Sequence, residues 1–231
     1  MEDGKKMNKL EILYEDNHII VVIKPFNIPT QEDSSNDDDM LSIIKKYIKE
    51  KYNKPGNVYL GLVHRLDRPA SGVMVFAKTS KAASRLSNQI RKNEVKKTYL
   101  AIVRGKTKEK EELINYISKD NKTNNSYIDE TNGKESILSY ERIFYDEGND
   151  LSLIKVNLKT GRHHQIRLQM SNINHPLYGD QRYGIQDKKQ LALYGYKLEF
   201  VHPVTKENMI FRHLPNNVGV WKMVDEVREE L

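Results

Sequence analysis

Residues 61–79 read GLVHRLDRPASGVMVFAKT and contain one carboxylate, Asp67, in a largely apolar stretch. It lies between Arg65 and Arg68. A carboxylate flanked by guanidinium groups stays ionised and oriented, because opposite charge favours its ionised form and bidentate geometry fixes its plane. In an extended segment, Arg65 and Asp67 share a face while Leu66 points the other way. This pattern suits a nucleophile or a base, and it also suits a structural ion pair beside a turn.

The composition is that of an ordinary globular chain. Its 231 residues are 38% hydrophobic and 30% charged, which is enough for one large domain with a sizeable core. No apolar run approaches the roughly 20 residues of a membrane span, and no signal peptide is recognised, so we expect a cytoplasmic protein that is not embedded in a membrane. The lack of cysteine excludes disulfides and thiolate sites. A net charge of +6 fits an anionic partner or a lysine-rich proteome.

Hydrophobic periodicity predicts secondary structure on both sides of this stretch. Residues 10–24 predict two short strands, and the acidic segment 30–40 predicts a surface loop that caps the next helix. Apolar residues at three- and four-residue spacing predict amphipathic helices over 40–52 and 79–94. Residues 96–105 predict a strand closed by a glycine.

The second half of the chain mixes the same elements without strict alternation. Residues 106–136 are polar and predict solvated hairpins or a mobile loop that adds nothing to the core. Residues 150–173 predict a strand, a turn and a helix, and residues 191–215 predict two final strands before a short charged helix. This order favours an α+β domain over a doubly wound one.

The block TGRHHQIR, residues 160–167, opens the predicted helix with two arginines, a glutamine and two histidines. Backbone amides and positive side chains at a helix start can receive phosphate. A metal site at His163 and His164 is the weaker interpretation, because neighbours in sequence are expected to point apart and no third ligand has a recognised spacing. A surface or turn pair is favoured, and no metal is expected.

Two more side chains have alternative interpretations. Asp180 could pair with Asp67 in a glycosidase that uses two carboxylates, or it could pin its own loop together with Arg182, which we favour. Tyr99 is a core aromatic residue or an acid or base. The sequence has no Walker motif, dinucleotide fingerprint or serine nucleophile elbow.

Taken together, four blocks resemble the RluA-type RNA pseudouridine synthases in order and approximate spacing. The blocks are YEDNHIIVVIKP, GLVHRLDRPASGVMVFAKT, KKTYLAIVRG and LKTGRHHQIRLQMSNINHPLYGDQRYG. The most specific part is the HRLD-x-x-x-SG block at 64–72. The resemblance covers about 10–215 and implies an α+β pseudouridine synthase fold. That fold is a mixed, mostly antiparallel sheet with flanking helices and a basic active-site cleft.

The resemblance also suggests domain boundaries. We expect a tail at 1–9, a single catalytic domain at 10–220 with a polar loop or hairpin insertion at about 106–136, and a tail at 221–231. The S4-type RNA-binding module of many relatives is not expected, because the first family block begins near the start of this sequence. Recognition of RNA would then rest on the catalytic domain.

Site residues follow from the matched motifs. Asp67 matches the catalytic aspartate of the family, Tyr99 its active-site tyrosine, and Arg167 the arginine that pairs with the aspartate. Ile166 matches the apolar residue that packs against the target base, and Arg65 belongs to the motif that helps to extrude the uridine. The expected substrate-binding residues are Arg65, Arg68, Lys24, Ile166, Arg162 and Gln165.

The implied reaction turns uridine in ribosomal or transfer RNA into pseudouridine. The N1–C1′ bond breaks, the uracil rotates while bound, and C5 bonds to C1′. This reaction needs no cofactor, and it needs one ionised carboxylate that attacks C1′ or takes the 2′ proton. We expect a monomer with RNA as its partner and with no obligatory protein partner. The main alternative is an RNA-binding protein that keeps the fold without turnover.

Three positions depart from the family pattern. His163 replaces a small hydroxyl residue, Gln169 a common histidine, and Asn174 the usual glycine before the HP pair. None of them is a catalytic residue. They bear on phosphate contacts and on the choice of substrate.

Overall fold

The computed structural model describes residues 10–33, 35 and 37–231, and the tail predicted at 1–9 lies outside these residues. Within the described chain, 11 strands form one sheet, accompanied by α-helices and a C-terminal 3₁₀ segment. In chain order the elements are β1 (Glu11–Glu15), β2 (Ile19–Lys24), α1 (Met40–Lys51), β3 (Gly61–Leu62), β4 (Ser71–Ala77), α2 (Ser80–Arg91), β5 (Lys96–Arg104), β6 (Lys110–Asp120), β7 (Asn125–Ile128), β8 (Lys134–Asp146), β9 (Leu151–Leu158), α3 (Gln165–Asn172), β10 (Leu193–Val201), β11 (Asn208–Arg212) and the 3₁₀ segment (Gly219–Glu230). None of the helices in this part of the chain is long and apolar enough to cross a bilayer.

The sheet is mixed and mostly antiparallel, which confirms the predicted α+β class. Its strand order is β1-β2-β4-β10-β5-β9-β8-β6-β7, with β3 also pairing with β4 and β11 with β10. Strands β4 and β10 run parallel, and the other pairs among the described strands are antiparallel. Because β10 lies between β4 and β5, the loop before β4 and the middle of β5 approach each other across one strand.

Glycine is required where β4 meets β10. Gly72 has φ of +130°, and a Cβ placed there would lie 2.4 Å from the backbone nitrogen and oxygen of Gly195. No other residue fits such a close backbone approach. Beside it, the Ser71 hydroxyl donates to the carbonyl oxygen of Lys24 at 2.6 Å. These contacts fix the start of β4 and therefore the loop that carries Asp67.

Both faces of the sheet are covered by apolar packing. On one face α1 and α3 contribute Ile44 and Met170 to a core that includes Phe76. On the other face α2 covers one end through Leu86, and the 3₁₀ segment covers the other end through Trp221. Alternation along each strand supplies both cores, as expected for a sheet buried on both sides.

The segment predicted as a tail at 221–231 is packed against the domain. Trp221, Val224 and Val227 are buried, and the Trp221 ring lies edge-on to Tyr194 with ring centroids 6.0 Å apart. The boundary at 220 is therefore wrong. The reason is that the three apolar residues recur every third position, so one side of the charged segment is continuous and apolar.

The polar segment at 106–136 contains the β6–β7 hairpin and contributes to the core. Leu113 and Ile117 are only 7% and 5% exposed. The expectation that this segment adds no core is wrong, because alternation along β6 turns these two residues toward the face on which α3 packs. The hairpin continues into β8, the longest strand, which the periodicity did not predict.

Candidate active site

A basic cleft of about 1250 Å³ opens on the face of the sheet that carries Tyr99. The loop between β3 and β4 forms one wall, the segment leading into α3 forms another, and the β6–β7 hairpin lies at the rim. Its basic lining residues include Arg65, Arg68, Lys97, Lys119, Arg162 and Arg182. This arrangement matches the cleft that the sequence predicts.

Asp67 projects into this cleft from a loop with a fixed backbone. The Thr30 hydroxyl donates to the carbonyl oxygen of Leu66 at 2.8 Å, and the Ala70 amide donates to the carbonyl oxygen of Asp67 at 3.0 Å. Leu66 is buried, while Arg65 and Asp67 both line the cleft. The predicted alternation of these three side chains is confirmed.

Lys24 lies behind the cleft, so the prediction that it contacts phosphate is wrong. It is fully buried, and its ammonium group donates to the carbonyl oxygens of Pro25, Arg68 and Ala70 at 3.0, 3.0 and 2.6 Å. Burial lowers the pKa of Lys24 to about 7, and the negative charge of nearby Asp67 opposes this shift. Three N–H donors matched to three carbonyls make Lys24 a support for the turn after Asp67.

Arg167 is the arginine that contacts Asp67, as predicted. Its Nη1 lies 3.2 Å from Asp67 Oδ2, while Nε and Nη2 donate to the two oxygens of Asp180 at 2.8 and 2.7 Å. Asp180 also accepts hydrogen bonds from the amides of Arg182 and Tyr183 at 2.9 and 3.1 Å. Burial raises the pKa of Asp180, but the hydrogen bonds and charge of Arg167 outweigh it and hold this pKa below its usual range. Asp180 thus anchors both its own loop and Arg167.

Tyr99 and Ile166 form an apolar surface beside Asp67. Tyr99 comes from β5 and Ile166 from the first turn of α3, and both are buried side chains that line the cleft. Burial, with the negative charge of Asp67, raises the pKa of Tyr99 well above its usual value. Tyr99 therefore remains a neutral phenol at physiological pH.

Gln165 shapes the turn before α3, and its amide group makes three hydrogen bonds inside the protein. Its Nε2 donates to Gln169 at 3.0 Å, and its Oε1 accepts from the Thr160 hydroxyl at 2.9 Å and from the Arg162 amide at 3.0 Å. These contacts give Gln165 a structural role in the turn, and because its side chain also lines the cleft, its contact with substrate stays a prediction. Arg162, the other residue of this block predicted to bind substrate, lines the cleft, and its Nε donates to the carbonyl oxygen of Glu135 at 3.1 Å.

Arg65 and Arg68, the neighbours of Asp67 in sequence, have different surroundings. Arg68 forms ion pairs with Asp33 and Asp37 of the acidic loop. Arg65 is exposed in the cleft and forms no ion pair within the residues that the structure describes. Of these two arginines, Arg65 is therefore the one that presents an unpaired charge to a ligand.

The imidazole rings of His163 and His164 lie against each other, with centroids 3.6 Å apart and planes tilted by 31°. The expectation that they point apart is wrong, because His164 has a left-handed backbone with φ of 53°. The Nε2 atom of His164 lies 3.6 Å from Asp67 Oδ2. Burial lowers the pKa of His164 to about 3, although the charge of Asp67 opposes this shift.

His164 was not among the site residues predicted from the sequence. The available signal was its spacing, since His164 and Arg167 are three residues apart at a helix start and so share a side. Within the described chain, no group of three or more potential ligands is placed to hold a metal ion.

Comparison with known proteins identifies the family. The sequence profile of the RNA pseudouridylate synthase family matches residues 18–172. The chain belongs to this family. It is 34% identical to the uncharacterized RNA pseudouridine synthase YhcT of Bacillus subtilis, over 87% of this chain and 67% of that protein.

Two other relatives carry names that specify an RNA. The tRNA pseudouridine synthase C of Vibrio parahaemolyticus is 30% identical, with 88% of this chain and 89% of that protein covered. The ribosomal large subunit pseudouridine synthase C of Buchnera aphidicola is 32% identical over 86% and 65% of the two chains.

A solved structure supports the fold. Human RNA pseudouridylate synthase domain containing 4 superposes with a TM-score of 0.74 and 20% identity, covering 94% of this chain and 92% of that one. The pseudouridine synthase fold implied by the sequence resemblance is confirmed.

Departures from the pseudouridine synthase pattern are accommodated inside the fold. Gln169 is buried, and its Nε2 lies within 2.8 to 3.3 Å of acceptors on Leu113, Asn115 and Ser136. It therefore joins α3 to β6 and β8. Asn174 has φ of 62°, a conformation that asparagine adopts more readily than most residues other than glycine.

Proposed function

We propose that this pseudouridine synthase converts specific uridines of structured ribosomal or transfer RNA into pseudouridine, with Asp67 as the catalytic carboxylate. The observation that carries the proposal is the contact between Asp67 and the buried Arg167 inside a basic cleft. Apolar side chains of Tyr99 and Ile166 lie in the same cleft and offer contact surface for a base. The family membership and the RNA named for two relatives support the same reaction.

The two oxygens of Asp67 have different surroundings. Oδ2 faces Arg167 and His164, whereas no hydrogen bond to Oδ1 is formed by the described residues. We assign Oδ1 to the reaction at the ribose, either as the nucleophile at C1′ or as the acceptor of the 2′ proton. The N1–C1′ bond breaks, and the bound uracil rotates and forms the C5–C1′ bond. Forming that bond breaks the Oδ1–C1′ bond of a covalent intermediate, or is accompanied by return of the proton from Oδ1 to C2′ of a glycal. C5 then loses its proton, and the former N1 gains one.

Tyr99 contributes mainly by contact with the face of the base. Its raised pKa disfavours a phenolate, so a role as a strong base is not supported. A neutral aromatic ring beside Ile166 can stack on a flipped uracil and keep it in place while it rotates.

Three cations in the cleft are available for RNA phosphates. Arg65, Lys97 and Lys119 line the cleft, and none has an ion pair or a side-chain hydrogen bond to another described residue. Lys97 lies two residues before Tyr99 on β5, so both side chains point to the same face. Burial lowers the pKa of Lys97, and a bound phosphate would supply the missing counter-charge.

The glycosidase alternative has no support. Asp180 is 1% exposed and its oxygens are occupied by Arg167 and by backbone amides, so it is not a second reactive carboxylate. An RNA-binding protein without turnover would bind RNA in the same cleft. The experiment below distinguishes this alternative from an active enzyme.

We also propose that the enzyme works in the cytoplasm as a monomer and requires no cofactor and no obligatory protein partner. The monomer is supported by the site itself, since Asp67, Tyr99 and Arg167 come from one chain and face one cleft.

The test is to map pseudouridine in total RNA by carbodiimide-dependent reverse-transcription stops. Cells would carry the wild-type gene, the Asp67→Asn form, the exposed control Asp225→Asn, or no gene. We expect a stop with wild type and Asp225→Asn alone. Purified Asp67→Asn protein should bind the target RNA within a few-fold of wild type, because the carboxylate performs chemistry and the cations perform binding.

Two results would argue against this function. Turnover by Asp67→Asn at the wild-type rate would remove Asp67 from the mechanism. If no uridine changes in any RNA while the protein still binds RNA, the binding protein without turnover becomes the better description.

A further inference from the structure

Ser126 of β7 connects His163 and His164 to the β6–β7 hairpin. Its hydroxyl lies 2.9 Å from His163 Nδ1 and 2.7 Å from the carbonyl oxygen of His163. Its amide donates to the Tyr183 hydroxyl at 2.7 Å, and that hydroxyl lies 2.8 Å from His164 Nδ1. Each imidazole therefore has a separate partner at Nδ1.

The hydrogen bonds of Tyr183 favour one tautomer of His164. The Tyr183 hydroxyl accepts the Ser126 amide, and among the described residues the acceptor within reach of its own proton is His164 Nδ1. A neutral imidazole carries one N–H, so a Nδ1 atom that accepts leaves the proton on Nε2. That N–H faces Asp67 Oδ2 at 3.6 Å.

The hydrogen bonds of the Ser126 hydroxyl give His163 the opposite tautomer. The single proton of the Ser126 hydroxyl goes to the carbonyl oxygen of His163, which leaves His163 Nδ1 as the donor to that hydroxyl. Burial lowers the pKa of both histidines, and the positive charge of Arg182 acts in the same direction. Two neutral rings can lie with centroids 3.6 Å apart without the repulsion that two cations would suffer.

We propose that His164 is a positioning residue for the catalytic carboxylate, with its Nε2–H directed at Asp67 Oδ2 by the Tyr183 hydroxyl. This inference rests on the proposed function of Asp67. Together with Arg167, His164 restrains one carboxylate oxygen and leaves Oδ1 free for the ribose. The distance of 3.6 Å is longer than a hydrogen bond, and active-site hydrogen bonds of this kind shorten when substrate binds.

A merely structural role for His164 makes the opposite prediction for two variants. His164 has φ of 53°, and asparagine tolerates this conformation better than glutamine. The amide nitrogen of asparagine takes the place of Nδ1, whereas that of glutamine reaches the place of Nε2. A structural role therefore favours His164→Asn, and a positioning role favours His164→Gln.

The kinetic test compares His164→Asn, His164→Gln and Tyr183→Phe on the RNA that the wild type modifies. We expect His164→Asn to lower kcat between about 10- and 100-fold with KM little changed, and His164→Gln to retain most of kcat. Tyr183→Phe keeps the ring whose centroid lies 5.4 Å from the Arg167 guanidinium carbon and removes only the hydroxyl. It should lower kcat because the tautomer of His164 is no longer fixed.

A second readout does not depend on activity. In the full chain with ¹⁵N-labelled histidine, two-bond ¹H–¹⁵N spectra should show the Nε2–H tautomer for His164 and the Nδ1–H tautomer for His163. Loss of one signal set in His164→Gln assigns the resonances, and Tyr183→Phe should change the His164 tautomer alone.

Each outcome decides the proposal. A Nδ1–H tautomer at His164, or a kcat of His164→Asn equal to or above that of His164→Gln, overturns it. If the wild type modifies no RNA, the proposed function fails and the spectra still establish whether the N–H faces Asp67. Thermal unfolding of each variant separates loss of fold from loss of positioning.

Discussion

Residues 64–68 and residues 163–167 lie on two walls of one cleft, and their arginines Arg68 and Arg167 differ in burial and in partners. In the first segment, Arg68 is held by the acidic loop and its side chain is 38% exposed. In the second segment, Arg167 is 6% exposed and contacts both Asp67 and Asp180. The arginine that pairs with Asp67 is thus a hundred residues away along the chain. Arg65 and Arg68, which are close to Asp67 in sequence, form no ion pair with it.

The difference shows how burial decides what an ion pair does. An exposed pair such as Arg68–Asp33 contributes little, because water and salt screen it. A buried arginine requires nearly complete pairing, because an uncompensated charge inside a protein is costly. Asp180 meets this requirement for Arg167 and leaves Nη1 directed at Asp67.

The largest effect should come from Arg167→Gln. The variant leaves the buried Asp180 carboxylate without its main partner, so the free energy of unfolding should fall by about 3 kcal/mol or more. Turnover should fall at least 10²-fold, because Asp67 loses its orienting contact. Urea unfolding and single-turnover kinetics on the mapped RNA measure the two effects.

A double variant separates these two consequences. Arg167→Gln with Asp180→Asn removes the unpaired buried charge, so part of the lost stability should return while turnover stays low. If the double variant is no more stable than Arg167→Gln alone, Arg167 and Asp180 are not coupled as the geometry indicates.

A second prediction concerns acid stability. The pKa of Asp180 in the folded protein is below its usual value, because its hydrogen bonds with Arg167 outweigh burial. Between the folded pKa and an unfolded pKa of about 3.9, the unfolded chain binds a proton that the folded chain does not. The contribution of Asp180 to stability is therefore present above that range and is lost as pH falls through it.

This acid sensitivity can be measured against the double variant. Urea unfolding of wild type from pH 7 down to about pH 3 should show a steeper loss than the double variant. Glu15, whose burial is outweighed by its contacts with Lys51 and Lys78, has a pKa of about 2 and contributes equally to both proteins. Parallel curves would mean that Asp180 is not the group responsible.

A smaller effect is expected for Lys97→Gln. The affinity for the mapped RNA should fall a few-fold, and the dependence of log affinity on log salt should become shallower by about one unit. Lys96→Gln is the matched control, because Lys96 is the exposed neighbour on β5 whose side chain points to the other face. Equal salt slopes for the two variants would remove Lys97 from the phosphate path.

The smallest effect is expected for Arg68→Gln. Because Arg68 is already paired with Asp33 and Asp37, its removal should change RNA affinity less than about twofold, whereas Arg65→Gln should weaken it more. Filter binding at fixed salt compares the two. A larger loss for Arg68 than for Arg65 would show that RNA displaces the acidic loop, and the contrast between the two arginines would disappear.

Local features of the fold were accessible from the sequence. Asp39 is the N-cap of α1, and its side chain accepts hydrogen bonds from the amides of Leu41 and Ser42. Thr79 is the N-cap of α2. The alternation of Arg65, Leu66 and Asp67 was equally readable. Each depends on hydrogen bonds or geometry within a few residues, so periodicity and capping rules apply.

Other features depend on contacts between distant parts of the chain. Lys24 reads as a surface cation, yet it is buried because three carbonyl groups converge on it. The 3₁₀ segment reads as a charged tail, yet Trp221 is buried among apolar side chains on the face of the sheet that α2 also covers. Periodicity in one segment carries no information about which surface will cover it.

The sequence by itself determined the family, the α+β class and the identity of Asp67, Tyr99 and Arg167 as candidates. These are recognised from the order and spacing of motifs along the chain, which need no knowledge of the fold. Only the tertiary structure decided that Arg167 is shared between two carboxylates, that Gln165 serves the turn, and that His164 faces Asp67. The physical reason is that orientation and burial depend on the left-handed backbone at His164 and on strands brought together across the sheet.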